Sequence, residues 1–84
     1  MIGEKDKTAM INRLARIEGQ LRGISKMMAA DAPDCEKVAQ QMSAARKALD
    51  KAQHTMLACM VEEHIRTGTD ASADELGKLI SKYA

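Results

Sequence analysis

Aromatic residues are almost absent from this sequence: Tyr83 is the only one among 84 residues, and there is no Trp or Phe. Proteins that bind single strands or RNA loops stack the bases on aromatic side chains. Such ligands are therefore disfavoured, and duplex DNA is the better candidate if a nucleic acid is bound. The hydrophobic core has to be built from Leu, Ile, Val, Met and Ala.

Cysteines and long apolar runs are also scarce. The two cysteines, Cys35 and Cys59, are too few for a disulfide framework. No segment approaches the roughly 18 consecutive apolar residues of a membrane span. The charged stretch 1–7 lacks the apolar core of a signal peptide. We therefore expect one cytoplasmic domain over residues 1–84, with no membrane partner and with thiols kept reduced.

The short length predicts an oligomer. A chain of this size buries only about 60% of its unfolded surface and is marginally stable alone. Small chains are usually stabilised by disulfides, by metals or by association. Because a disulfide framework is excluded, association is the expected source of stability.

Positive charge is concentrated in the first third of the chain. The whole sequence has a net charge of +1, but residues 1–30 contain six basic and three acidic residues, and the rest is net −2. This asymmetry indicates either a basic surface on the first helix or an ordinary solvated helix face.

Apolar residues at alternating steps of three and four predict an all-α fold with three helices. The first helix is expected over about 7–30, the second over about 34–67 with Pro33 before it and Gly68 as its stop, and the third from a capping box at 72–75. The apolar stripe of the first helix is Met10, Leu14, Ile17, Leu21, Ile24 and Met28. The stripe of the second is Cys35, Val38, Met42, Ala45, Leu49, Ala52, Met56 and Cys59.

The predicted second helix is about 50 Å long, which a compact 84-residue monomer cannot use. Two long antiparallel helices leave an apolar edge uncovered, and packing two such hairpins into a four-helix bundle covers it. The sequence therefore predicts at least a dimer.

Five residues are candidates for binding a soft metal ion: Cys35, Met60, His64, Cys59 and His54. We favour the first four, because His54 is expected on an exposed face near Lys47 and Lys51. Thiolate, thioether and imidazole together suit Cu(I), and Zn, Ni or Co are also possible. Cys35 lies in the first turn of a helix, where cysteines are more reactive. Each residue also has a purely structural interpretation, as a core side chain or, for His64, as a cation near a helix C-terminus. No catalytic constellation is present, so we do not expect an enzyme.

Cys35 and His64 cannot bind the same ion within one subunit, because 29 residues of helix separate them by roughly 44 Å. Two antiparallel second helices in a dimer would bring Cys35 of one subunit beside Met60 and His64 of the other. Met60 and His64 share a helix face because they are four residues apart.

Two segments carry a family resemblance. The run RLARIEGQLRGI over 13–24, followed by Cys35 and by VAQQMSAAR over 38–46, resembles the copper-sensitive operon repressor family (CsoR, with its RcnR and FrmR relatives). The resemblance implies an all-α homotetramer, a dimer of dimers, that binds double-stranded operator DNA in the apo, reduced state and is released by an effector. It also implies a DNA-binding surface that includes Arg13, Arg16, Gln20 and Arg46.

The effector residues depart from the family's patterns. Copper sensors have Cys, His and Cys where this chain has Cys35, Met60 and His64. Nickel and cobalt sensors need further histidines, persulfide sensors a second Cys at the last position, and formaldehyde sensors an N-terminal Pro where this chain has Ile2. Cu(I) bound by Cys35 with the partner subunit's Met60 and His64, near Cys59, is the leading hypothesis. The alternatives are another transition metal, covalent sensing of persulfide, formaldehyde or another electrophile through Cys35 with Cys59, and a metal-binding bundle with no DNA role.

Overall fold

Three helices make up the described part of the chain. The computed structural model describes residues 2–68 and 73–84, and those ranges contain α1 (Glu4–Met28), α2 (Cys35–Thr67) and α3 (Ala73–Tyr83), with no strand. The all-α prediction with three helices is confirmed. None of the helices in these ranges is long and apolar enough to cross a membrane.

The ends of α2 follow from its flanking residues. The carboxylate of Asp34 accepts a hydrogen bond from the backbone N–H of Lys37 at 3.2 Å, so Asp34 is the N-cap and the helix begins at Cys35. Gly68 ends the helix with φ of 60°, a left-handed conformation that glycine adopts without strain. The predicted stop at Gly68 is confirmed. In the capping box predicted for α3, Ser72 lies outside the described residues.

The helices α1 and α2 form an antiparallel hairpin with a narrow core. The core consists of five buried residues that recur at intervals of seven, Ile17 and Ile24 from α1 and Val38, Ala45 and Ala52 from α2. Alanine at two of these positions lets the helix axes approach closely. The helix α1 covers α2 along one side only.

Each apolar stripe predicted from the sequence divides into two in the structure. The intervening members, also seven residues apart, remain 44–53% exposed; they are Leu14, Leu21 and Met28 on α1 and Met42, Leu49 and Met56 on α2. A heptad seam has two sets of positions, and one neighbouring helix covers only one of them. The second set is left facing outward.

The molecule is a slab one helix thick, with dimensions of 56 × 28 × 13 Å. Its thickness is close to the 10–12 Å diameter of a single helix with side chains. The third helix lies against α2, where the side-chain amide of Gln53 donates to the backbone carbonyl of Tyr83. Leu76, Leu79 and Ile80 of α3 are half-buried. A slab of this kind has two broad surfaces, and they differ in chemistry.

Candidate functional site

A basic groove runs between α1 and α2 on one surface of the hairpin. Its rim is formed by Arg13, Arg16 and Gln20 from α1 and Lys51 from α2, over a floor of Ile17 and Ala48, and its volume is about 450 Å³. Arg16 and Lys51 are exposed, whereas Arg13 and Gln20 are half-buried. The groove therefore offers three cationic groups and one amide to an anion such as a backbone phosphate.

Lys51 was not among the residues predicted from the sequence to form this surface. Lys51 comes from α2, 30 or more residues away from the arginines of the first helix, and only the hairpin packing places it beside them. One signal was available: Lys51 is three residues after Ala48 and so lies on the same side of α2. That signal is useful only when the side of α2 that faces the arginines is known.

Arg46 lies away from this groove. Its side chain is exposed and lines the apolar groove on the other surface, with Leu21, Met42 and Leu49 among its neighbours. Successive residues of a helix are separated by about 100°, so Arg46 and Lys51 lie about 140° apart around α2. The structure thus brings together three of the four residues expected to bind DNA and separates the fourth.

The apolar surface carries a symmetric pattern on α2. Met42, Leu49 and Met56 are 50, 51 and 46% exposed, and Leu49 is at their midpoint in the sequence. On α1 the exposed Leu14 and Leu21 continue the apolar surface beside them. The apolar groove of about 280 Å³ between the two helices is part of the same surface.

Cys35 lies at the start of this pattern. It is the first residue of α2, and its side chain is exposed. It precedes Met42 by seven residues, so it continues the outward-facing set of positions and does not enter the hairpin core. The interpretation of Cys35 as a buried small hydrophobe does not apply in the isolated subunit.

Met60 and His64 lie on the last two turns of α2 and are half-buried. Met60 is 25 residues from Cys35, which corresponds to about 38 Å along the helix. Within the described residues, no group of three His, Cys, Asp or Glu side chains is placed to hold a metal ion. One subunit therefore contributes separate halves of the predicted site, at opposite ends of α2.

The two halves nevertheless lie on one flank of the exposed stripe. Angles around the axis of α2 can be measured from Leu49. Met60 is displaced by about 20°, Cys35 by about 40° and His64 by about 60°, all in the same direction. All three side chains thus lie within a sector of about 40°, next to Met42 and Leu49. That this flank faces away from α1 could not be recognised before the structure divided the heptad seam into its inner and outer sets.

Cys59 lies on the opposite flank. It is displaced by about 80° from Leu49 in the other direction, toward α1, and is half-buried. Its Sγ donates to Oε1 of Glu63 at 4.0 Å. A cleft that it shares with Ile2, Asp6 and Thr55 lies between the start of α1 and α2. The structure therefore separates this thiol from Met60 and His64, although the three are close in sequence.

Comparison with known proteins identifies the family. The model of a family described as metal-sensitive transcriptional repressors matches residues 6–82, all but seven residues of the chain. No curated protein and no solved structure matches the chain. The match covers all of α2 and nearly all of α1 and α3, and it confirms the resemblance carried by the 13–24 and 38–46 segments. It also describes a family of regulators, which agrees with the expectation that the chain is not an enzyme. The chain belongs to the metal-sensitive transcriptional repressors.

Proposed function

We propose that this protein binds operator DNA as an apo, reduced oligomer and is released when Cu(I) binds between subunits, to Cys35 of one and Met60 and His64 of the other. The observation that carries the proposal is the exposed, symmetric stripe centred on Leu49, with Cys35 beyond one end and Met60 and His64 beyond the other. Family membership supports the DNA-binding role and argues against a metal-binding bundle with no DNA role.

The stripe is suited to pairing with its own copy in an antiparallel arrangement. A twofold axis at Leu49 stacks Leu49 on its counterpart and places Met42 against Met56 of the partner subunit. The same axis puts Cys35 level with position 63 of the partner helix, within one turn of both Met60 and His64. A twofold axis perpendicular to the helices also places the equivalent flanks of the two α2 helices on the same side of the pair. The three proposed ligands therefore converge on one flank of the pair.

The donor set fits Cu(I). A thiolate, a thioether and an imidazole are soft or borderline ligands, and soft sulfur ligands select Cu(I). Nickel and cobalt are less well matched, since only one of the three ligands is an imidazole. Cys59 is the weakest candidate of the four residues considered, because it faces α1.

Release from DNA follows from where the site forms. An effector that bridges two subunits stabilises the quaternary arrangement in which its ligands meet. The basic grooves lie on the surface opposite the stripe, so their spacing depends on the same arrangement. Coupling of this kind is typically 1–3 kcal/mol, or a 5–150-fold change in DNA affinity. We propose a dimer of dimers as the DNA-binding species.

The decisive test is operator binding measured by fluorescence anisotropy under anaerobic conditions, before and after one equivalent of Cu(I) per subunit. We expect tight binding by the apo protein, release on addition of Cu(I) and recovery with a Cu(I) chelator. If the apo protein binds but Cu(I) has no effect, the copper assignment is wrong. If release from DNA is reversed by a reductant and not by a chelator, the result would instead favour covalent sensing at the exposed Cys35.

The stripe predicts how the oligomer can be disrupted. Leu49→Glu places a carboxylate at the twofold axis, facing its own copy, and is expected to yield monomers at micromolar concentration in sedimentation experiments. Ile65→Glu is the matched control, because Ile65 is 74% exposed and lies about 160° around α2 from Leu49. Wild-type protein that sediments only as a 9.2 kDa monomer would contradict the proposed assembly.

The groove predicts a DNA contact by Lys51. Lys51→Ala is expected to weaken operator binding uniformly across sequences and to lower the salt dependence by about one phosphate contact per Lys51 engaged. The measurement is the slope of log affinity against log salt concentration. Lys78→Ala, on α3, removes the same charge outside the groove and should leave the slope unchanged. Equal slopes for Lys51→Ala and wild type would remove Lys51 from the DNA-binding surface.

A further inference from the structure

Two opposite charges lie on the flank of the stripe that carries the proposed ligands. Around α2 from Leu49, Arg46 is displaced by about 60° and Asp50 by about 100° in the direction of Cys35 and His64. Both side chains are exposed, and Arg46 lines the apolar groove with Met42 and Leu49. Within the described residues, neither has an ion-pair partner. Within one helix, an ion pair four residues apart is weaker when the basic residue comes first, as Arg46 does before Asp50, than when the acidic residue comes first.

The proposed twofold axis supplies each charge with a partner. Asp50 is one residue beyond Leu49, so the axis places the partner subunit's Asp50 level with position 48 of the first subunit. Arg46 is then two residues, or about 3 Å, away along the helix axis from the partner subunit's Asp50. The axis keeps both groups on the same flank. The contact occurs twice in a dimer, once on each side of Leu49.

We infer that Arg46 forms an ion pair with the partner subunit's Asp50, and that the two symmetric pairs fix the register of the antiparallel helices. This inference rests on the dimer in the proposed function. Register matters because a slip of one heptad keeps an apolar stripe on an apolar stripe but moves Cys35 about 10 Å from its partner ligands. Apolar packing alone distinguishes poorly between such registers, whereas flanking charges do so well. Arg46 is thus a positioning residue of the subunit interface.

Charge exchange tests the pair. Sedimentation equilibrium is measured for wild type, Arg46→Glu, Asp50→Arg and the double variant, with helicity followed by far-UV circular dichroism. Each single variant creates two like-charge contacts and is expected to raise the dimer dissociation constant on the order of 10-fold or more. The double variant restores opposite charges and is expected to return close to wild type. Lys47→Glu, which makes the same charge change outside the stripe, is the control.

The outcomes separate this inference from the proposed function. A monomeric wild type would overturn the dimer itself. A dimeric wild type with singly reversed variants that dimerise equally well, or with a double variant that is not rescued, would overturn the ion pair alone. Operator binding supplies a second readout: the rescued double variant should bind DNA as wild type does. If it dimerises as wild type does but no longer binds, Arg46 also contacts DNA, and a role confined to the subunit interface is wrong.

Discussion

Replacing Cys35 with alanine is expected to abolish release of the repressor by Cu(I) while leaving operator binding by the apo protein intact. Cys35 is exposed at the first position of α2, so its removal leaves no cavity in the hairpin core. Of the two cysteines, both of them among the described residues, it is the one on the flank that carries Met60 and His64. The expected loss is the whole 5–150-fold response that such coupling typically gives. Anaerobic anisotropy titration of the variant with Cu(I) measures it.

Cys59→Ala is the matched control for thiol removal. Because Cys59 faces α1 and bonds to Glu63, we expect this variant to keep the Cu(I) response. Met60→Leu and His64→Leu, which retain much of the side-chain volume, should each weaken Cu(I) binding measured by competition with a chelator. A Cys35→Ala protein that is still released by Cu(I) would exclude Cys35 from the mechanism. Loss of the response in both thiol variants would instead indicate a site that uses Cys35 and Cys59 together.

Reversing the charges of Arg13 and Arg16 is expected to eliminate specific operator binding. The two guanidinium groups line the groove with Lys51, and carboxylates at these positions would repel the phosphates that the arginines are proposed to bind. The expected loss in affinity for Arg13→Glu with Arg16→Glu is on the order of 100-fold or more. Anisotropy titration at fixed salt concentration measures it, and sedimentation should show an unchanged oligomer.

Arg22→Glu provides the control on the same helix. Arg22 lies about 180° around α1 from Arg13, and its Nη1 donates to Glu18 at 3.3 Å on the exposed side. Reversing it makes the same change in charge as either one of the two groove reversals, at the cost of a few tenths of a kcal/mol in helix stability. Operator binding should persist. If Arg22→Glu abolished binding as fully as the double reversal, net charge and not the groove would control DNA affinity.

The local signals in the sequence predicted the helices well. Their steps of three and four gave three helices with bounds close to those observed, and Gly68 marked the end of α2 because glycine alone adopts its left-handed conformation without strain. The start of α1 was placed three residues too late, since Glu4 and Asp6 join the helix without an apolar signal. These features depend on residues within one or two turns, which is the range over which sequence patterns act.

The site residues were predicted less evenly. Family resemblance selected Arg13, Arg16 and Gln20, and the structure places them in one groove. It also selected Arg46, which the structure places on the other surface. Lys51 was missed because its role depends on which side of α2 faces α1.

The sequence by itself determined the all-α class, the end of α2, the near-absence of aromatic residues from the core and the motif that identifies the family. Those properties depend on local backbone preferences and on residue identity. Only the tertiary structure decided which half of each heptad seam is buried, and with it which residues share a surface. Periodicity places a residue on a stripe, but a stripe of seven-residue repeats contains two sets of positions that are equally apolar. The small Ala45 and Ala52 let α1 pack against one set, and that packing leaves Met42, Leu49, Met56 and Cys35 facing outward.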